Sequence, residues 1–207
     1  RVKRIHGYLS KMRHATIKIR TDAPDHSNIP VKLCDWECSC YADAKEEIPL
    51  DAPKPKGKPV TATSFFEANL CHDLISGKSV AGILHQLNKT SVDWCSKPQS
   101  TVGTVAFGSE HVTTRTCTEQ VIDLCLTLQC LRVPVHGPAM VLGDNESVIH
   151  SAAIPHSKTH KGWVALFHNR LRHTVETGII NVHHIAEKKN WPMFQVNIGT
   201  CPLFGTQ

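Results

Sequence analysis

The chain has 207 residues, 41% hydrophobic and 20% charged, a balance that suits one compact core and excludes an intrinsically disordered chain. No apolar run approaches the roughly 20 residues of a membrane-spanning helix, and nothing reads as a secretory signal peptide; an intracellular protein with no membrane partner is expected. The net charge of +5 is uneven, with 12 basic and 8 acidic side chains in residues 1–58 against 11 and 10 in residues 59–207. The chain opens on Arg1 rather than Met, so a piece of a longer reading frame is expected.

Residues 1–14 read as a short basic helix with Val2, Ile5, Tyr8 and Leu9 on one face. Seven basic residues and no acid precede Thr21. Arg1, Lys3, Arg4, Lys11 and Arg13 make a patch suited to a nucleic-acid backbone, although a solvated helix face carries the same pattern. Ala15–Arg20 alternates as a strand does. Thr21–Pro59 is turn-rich and ends in DAPKPKGKP, a Pro/Lys linker that places the main domain boundary before residue 59. Within it Cys34, Cys38 and Cys40 are spaced C-x3-C-x-C, without the second paired half of a zinc site, which argues against zinc. Nine cysteines is an odd number. Cys117, Cys125 and Cys130 fall at apolar positions of a periodic segment, as buried free thiols in a reducing compartment would.

From Val60 the texture changes. Val60–Asn69, Lys78–Asn88 and Thr90–Ser96 are β-prone and predict an antiparallel meander with Asn88-Lys89 at a turn. A long helix is predicted over residues 102–131, with Cys117, Val121, Leu124, Leu128 and Leu131 as its apolar stripe. Pro134 and Pro138 end it. A short strand, Ala139–Gly143, then stops at Asp144-Asn145-Glu146, followed by helices to about Ala153 and over Lys161–Thr177, and a last strand over Ile179–Ile185. The order β-β-β-α-β-α-α-β predicts an α/β fold, three strands joined by hairpins and two more added through helical crossovers.

Three acids stand out. Glu67 interrupts an apolar strand, FFEAN; Glu110 lies seven residues before Cys117, on the inner stripe of the long helix; Asp144 ends the fourth strand. If the first and fourth strands are neighbours, all three meet at one end of the sheet. Clustered carboxylates repel, and a divalent cation is the usual remedy. Two such ions can activate water and stabilise a leaving oxygen in phosphodiester cleavage. Singly, each acid has a plainer explanation: Asp144 as a helix cap, Glu110 snorkelling from the helix edge, Glu67 facing solvent. The fourteen histidines include His156 and His160 at i, i+4 but no HExxH motif, which excludes a zinc protease on that ground. In the last strand His183 and His184 point to opposite faces and cannot chelate together.

From Val60 onward the chain resembles the RNase H domain of copia-type LTR retrotransposon polyproteins, most of all an algal or diatom-like lineage. The segments that carry the resemblance are FFEANLCHD (Phe65–Asp73), VDWCSKPQSTV (Val92–Val102), FGSEHV (Phe107–Val112), EQVIDLCLTL (Glu119–Leu128) and LGDNESV (Leu142–Val148). IPHS (Ile154–Ser157) and the strand ending HHI (His183–Ile185) continue it, and residues 1–58 resemble the connection that follows the reverse transcriptase. The resemblance implies an RNase H-like fold over residues 59–190, in which these strands form one mixed five-stranded sheet. It implies hydrolysis of RNA in RNA–DNA hybrids with two Mg2+ ions, Mn2+ being the alternative. The reverse transcriptase of the same polyprotein is the implied partner. Glu110 and Asp144 match the family's second and third acids, Glu67 stands where the family has Asp, and Lys97 and Gln99 are further nucleic-acid contacts. The family's fourth acid follows the last strand in Asn-Pro-Ala-Asp; here Asn190-Trp191-Pro192-Met193-Phe194 has none.

Reading one base upstream from Trp191, the genetic code permits L-A-D-V-S-S-K-H-W-D in place of WPMFQVNIGT, which is similar to the family's own tail. Residues 191–207 are therefore expected to be an out-of-frame tail. With one acid altered and one missing, an impaired nuclease is expected. Its rivals are a catalytically dead nucleic-acid-binding remnant and a zinc module around Cys34–Cys40.

Overall fold

The β-prone runs pair in sequence order. Strands β1 (Ala62–Asn69), β2 (Val80–Leu87) and β3 (Thr90–Pro98) form an antiparallel meander. Asn88, in the turn between β2 and β3, takes φ 55, a left-handed conformation that asparagine tolerates better than most residues. Its side-chain Oδ1 accepts the Thr61 N–H at 3.0 Å, and its own N–H donates to the Thr61 carbonyl at 2.8 Å. The turn is thus stitched to the start of β1. Between His85 and Gln86 the register shifts, and Val92 on β3 becomes the extra residue of a bulge.

The computed structural model describes residues 10, 19–27, 29, 49–73, 75–100, 105–153 and 162–186. After β3 come helix α1 (Ala106–Cys130), strand β4 (Ala139–Gly143), helices α2 (Glu146–Ala153) and α3 (Gly162–Glu176), and strand β5 (Ile180–His184). Strand β4 pairs parallel with β1, and β5 parallel with β4, giving the sheet order β3-β2-β1-β4-β5. This is the predicted element order, and β1 and β4 are neighbours. No helix among the described residues is long and apolar enough to cross a membrane.

Strand alternation sends Phe66, Ile83, Val141 and Val182 to one face, where they pack with Cys117 and Val121 of α1, Ile149 of α2 and Leu171 of α3. Polar residues buried on this side find local partners. Thr113, Thr114 and Thr118 each donate to the carbonyl four residues back, at 3.1, 2.8 and 2.9 Å. That back-bonding lets a threonine-rich stretch face the sheet without orphaned hydroxyls. His85 bridges Ser64 Oγ (2.7 Å) and Gln120 Oε1 (3.1 Å), joining β2, β1 and α1; burial lowers its pKa. The opposite face gathers Phe65, Leu84, Met140, Leu142 and Ile185, with Ile29 packed against them.

Three expectations need correction. The Pro/Lys run touches the domain at one point, where Lys56 N–H donates to Arg132 O at 2.7 Å; just after it Val60 pairs with Pro134 and His136. The helical stripe ends early, because α1 stops at Cys130 and Leu131 is exposed. Of the thiols, Cys117 is buried but Cys125 is half-buried and Cys130 exposed, and none of the three is in a disulfide. Ile19 and Arg20 carry no regular structure. Arg1, Lys3, Arg4, Lys11, Arg13, the Cys34–Cys40 group, His156, His160 and the tail after Asn190 lie outside the described residues.

Candidate active site

Parallel pairing of β1 with β4 runs Thr63–Met140, Ser64–Val141, Phe65–Leu142. Two further steps in that register set Phe66 beside Gly143 and Glu67 beside Asp144. The first of these pairs is visible in the packing. A Cβ on Gly143 would run into the Phe66 ring, with Cε1 and Cε2 at 2.7 Å and Cζ nearer still. Glycine is needed there because the aromatic ring occupies the space a side chain would fill.

Glu110 comes from above, in the second turn of α1, and is only 5% exposed. Its Oε1 accepts the Ala68 N–H at 3.0 Å, beyond the point where the ladder with β4 has ended. Its Oε2 is buried with no hydrogen-bond partner. Burial pushes the carboxyl up to about 8; the Ala68 hydrogen bond opposes this, and the charges of Asp144 and Glu67 raise it further. The charges of Asp144 and Glu67 thus both reach Glu110. His111 follows in sequence but supplies no balancing charge. Stacked on Phe107 at 5.8 Å and near His168, it is held neutral, its pKa lowered to about 4 chiefly by burial.

Two plainer explanations fail. Glu110 does not snorkel to solvent. Asp144 does not cap α2; that role falls to Asn145, whose Oδ1 accepts the Val148 N–H at 3.2 Å. Glu67 is half-buried near the end of β1.

Sequence reasoning missed His184. Strand pairing places it opposite Gly143, and its Nε2 lies 3.0 Å from the Asp144 carbonyl oxygen. With a proton on Nε2 the ring donates to that carbonyl and holds the backbone of Asp144 in place. The His183-His184 doublet was the available signal, but only the β4–β5 register shows which neighbour the ring meets.

Gln99 is corrected. It is 5% exposed, and its Nε2 donates to Ser109 O at 2.8 Å and Thr113 Oγ1 at 3.0 Å. The amide clamps the segment after β3 onto α1 and is not presented to a nucleic acid. Lys97 is exposed on β3. Among the described residues no three His, Cys, Asp or Glu side chains are drawn together as a ready-made metal-ligand cluster.

No protein-family model matches the sequence, and no curated protein sequence matches it. Solved structures do match. The RNase H1 of the halophilic archaeon Halobacterium salinarum superposes with a TM-score of 0.50 at 11% identity, covering 66% of this chain and 93% of that one. The N-terminal RNase H domain of a Mycobacterium tuberculosis protein gives 0.51 at 11% identity, covering 68% and 98%. LC11-RNase H1, solved in complex with an RNA/DNA hybrid, gives 0.51 at 12% identity, covering 68% and 96%. At these identities the likeness is one of fold. The chain has the RNase H-like fold, a mixed five-stranded sheet with flanking helices.

Proposed function

We propose that the chain is the RNase H-type nuclease domain of a copia-type LTR retrotransposon polyprotein, of algal or diatom-like lineage, with impaired cleavage of RNA in RNA–DNA hybrids. The observation that carries this reading is a buried carboxyl, Glu110, held to β1 by the Ala68 N–H with its second oxygen unpartnered, in a chain with the RNase H-like fold. The fold likeness to LC11-RNase H1, solved on an RNA/DNA hybrid, supports the substrate class.

The three acids do not stand as a formed ligand cluster in this structure; what favours a hard divalent cation is their chemistry. Their donor set is oxygen only, which suits Mg2+ or Mn2+ rather than zinc, and the buried Oε2 of Glu110 has no hydrogen-bond partner. Glu67, Glu110 and Asp144 would hold the ions. Bound there, they would supply Lewis-acid activation of water and charge stabilisation at the departing oxygen. The chain's own part is to position. Ala68 N–H holds one oxygen of Glu110, leaving the other to face the site. A cation held there would favour the charged form of Glu110. His184 steadies the Asp144 backbone. Lys97 offers a cation to the phosphate backbone on the exposed edge strand, and the basic residues up to Arg20 are further candidates for such contacts by their charge. The reverse-transcriptase part of the same polyprotein is the natural neighbour of residues 1–58, in an intracellular setting.

Impairment follows from Glu67, whose arm is one methylene longer than the family's Asp, and from the absence of an acid in Asn190–Phe194. The same features favour a second reading, binding without cleavage. Incubation of a labelled RNA–DNA hybrid with Mg2+ or Mn2+ decides between them. Slow cleavage abolished by Asp144→Asn supports the nuclease. Salt-sensitive binding with no cleavage in either ion assigns the remnant.

A further inference from the structure

The sheet has two apolar faces, and the described helices all pack on one of them. The other, built from Phe65, Leu84, Met140, Leu142 and Ile185, is nonetheless buried. What reaches it among the described residues is Ile29, from the part of the chain that the resemblance assigns to a connection. We infer that residues 20–29 are a built layer of this domain, clipped across the sheet to cover the face opposite α1, and that the folding unit begins near Arg20 rather than at residue 59.

The clip has four attachments along one line. A single hydroxyl, Thr90 Oγ1 at the start of β3, accepts from the Arg20 N–H at 2.7 Å and donates to the Arg20 carbonyl at 2.9 Å. Asn88 Nδ2 donates to the Thr21 carbonyl at 3.1 Å while its Oδ1 holds Thr61. One turn residue therefore joins this segment to the start of β1. Asp22 lies 3.9 Å from Lys89, an exposed pair of small energetic weight. Further along, His26 Nε2 meets Thr63 Oγ1 at 3.3 Å over the central strand. A tight turn follows, in which Ile29 N–H donates to His26 O at 3.0 Å, and it delivers Ile29 onto the apolar cluster. Backbone groups held by turn side chains and an isoleucine set into a hydrophobic patch are the marks of a packed element, which a solvated connection lacks. The occupant of this face is accordingly the chain's own segment and not a second copy.

Hydrogen exchange on the full chain tests this. The Arg20 amide should be protected at least tenfold over an unstructured peptide, and Thr90→Val should remove that protection while β2 amides keep theirs. Ile29→Asp should raise the fluorescence of an apolar-surface dye severalfold with the helical circular dichroism retained. Should Ile29→Asp fail to fold, the surface pair Asn88→Gly and Thr90→Val still decides the matter, since glycine keeps the left-handed turn and loses only the side-chain bonds. An Arg20 amide exchanging at the unstructured rate in the parent overturns the inference. So does dye binding that stays unchanged in Ile29→Asp, or that rises with protein dilution, which would mean that a second copy covers the face. None of these readouts involves nuclease activity, so the outcome leaves the proposed function standing or falling on its own assay.

Discussion

The Ala68 N–H donates to Glu110 Oε1 at 3.0 Å, tying the second turn of α1 to the far end of β1 through a carboxyl whose second oxygen is buried and unpartnered. Burial leads, and the neighbouring charges of Asp144 and Glu67 add to it, in raising this carboxyl from 4.5 to about 8. In the folded chain Glu110 then keeps a proton that the unfolded chain loses above 4.5. Stability should be greatest at or below that pH, fall as pH rises through the window from 4.5 to 8, and level off beyond, at a slope approaching about 1.4 kcal/mol per pH unit. Glu110→Gln keeps an acceptor for Ala68 and removes the charge, so its urea midpoint should change far less between pH 5 and pH 8. Added Mn2+ should stabilise the parent most at pH 8. Parallel pH profiles for parent and variant would show that Glu110 is not the coupled group.

Glu67 lies two residues before the end of β1, level with Asp144 when the β1–β4 register is extended two steps, and is one methylene longer than the Asp that the proposed function calls for. Metal-dependent chemistry is sensitive to placements of about 0.5 Å, so arm length matters more than charge at this position. Glu67→Asp should raise the cleavage rate on an RNA–DNA hybrid by about tenfold or more, since each 1.4 kcal/mol off the barrier is a factor of ten. Its effect on thermal stability should be slight, because the side chain is only half-buried. Equal rates for Glu67 and Asp would place the lesion elsewhere, in the missing acid after Asn190.

How far the sequence reaches is set by the range of the interaction that decides each feature. Period-two and period-3.6 patterns are local, and the order of elements was legible, down to the bounds of Ala139–Gly143. The burial of Glu110 on the inner helix stripe was legible for the same reason. What depended on register was not. The bond from Ala68 to Glu110, the ring of His184 against Asp144, and the clip of Arg20 and Thr21 onto Thr90 and Asn88 each join residues 40 to 70 positions apart. Gln99 was assigned by the resemblance alone, which does not show that its backbone bonds Ser79 and that its amide turns inward.

His184 sits opposite Gly143 with Nε2 at 3.0 Å from the Asp144 carbonyl, so it acts on the site through the backbone and is a positioning residue. A neutral hydrogen bond of this kind contributes about 1 kcal/mol net, worth roughly fivefold in an equilibrium. His184→Phe, which keeps the ring volume, should weaken Mn2+ binding measured by calorimetry by about that factor and leave the global fold intact. His184→Gln, which can still donate, should recover part of it. Unchanged affinity in both variants would mean that the Asp144 backbone is held well enough by β4 alone.

Gly143 and Phe66 form the tightest junction beneath the acids. Phe66 is fully buried, its ring filling the space where a Cβ on Gly143 would stand, and the residue after Gly143 is Asp144. Neither neighbour is the loose end of a flexible side chain, so Gly143→Ala must move the ring or part the two strands. Overpacking of this kind costs about 1–3 kcal/mol, and here the strain falls on the strand end that presents Asp144. The variant should lose stability in urea and, if active, lose cleavage rate by more than its folded fraction explains. Phe66→Leu alone should also destabilise by leaving a cavity. Combined, the two changes should be less harmful than their sum, because the smaller side chain makes room for the new methyl. A double-mutant cycle that closes with strict additivity would mean that the ring and the glycine do not share this space, and the register placing Glu67 beside Asp144 would lose its packing support.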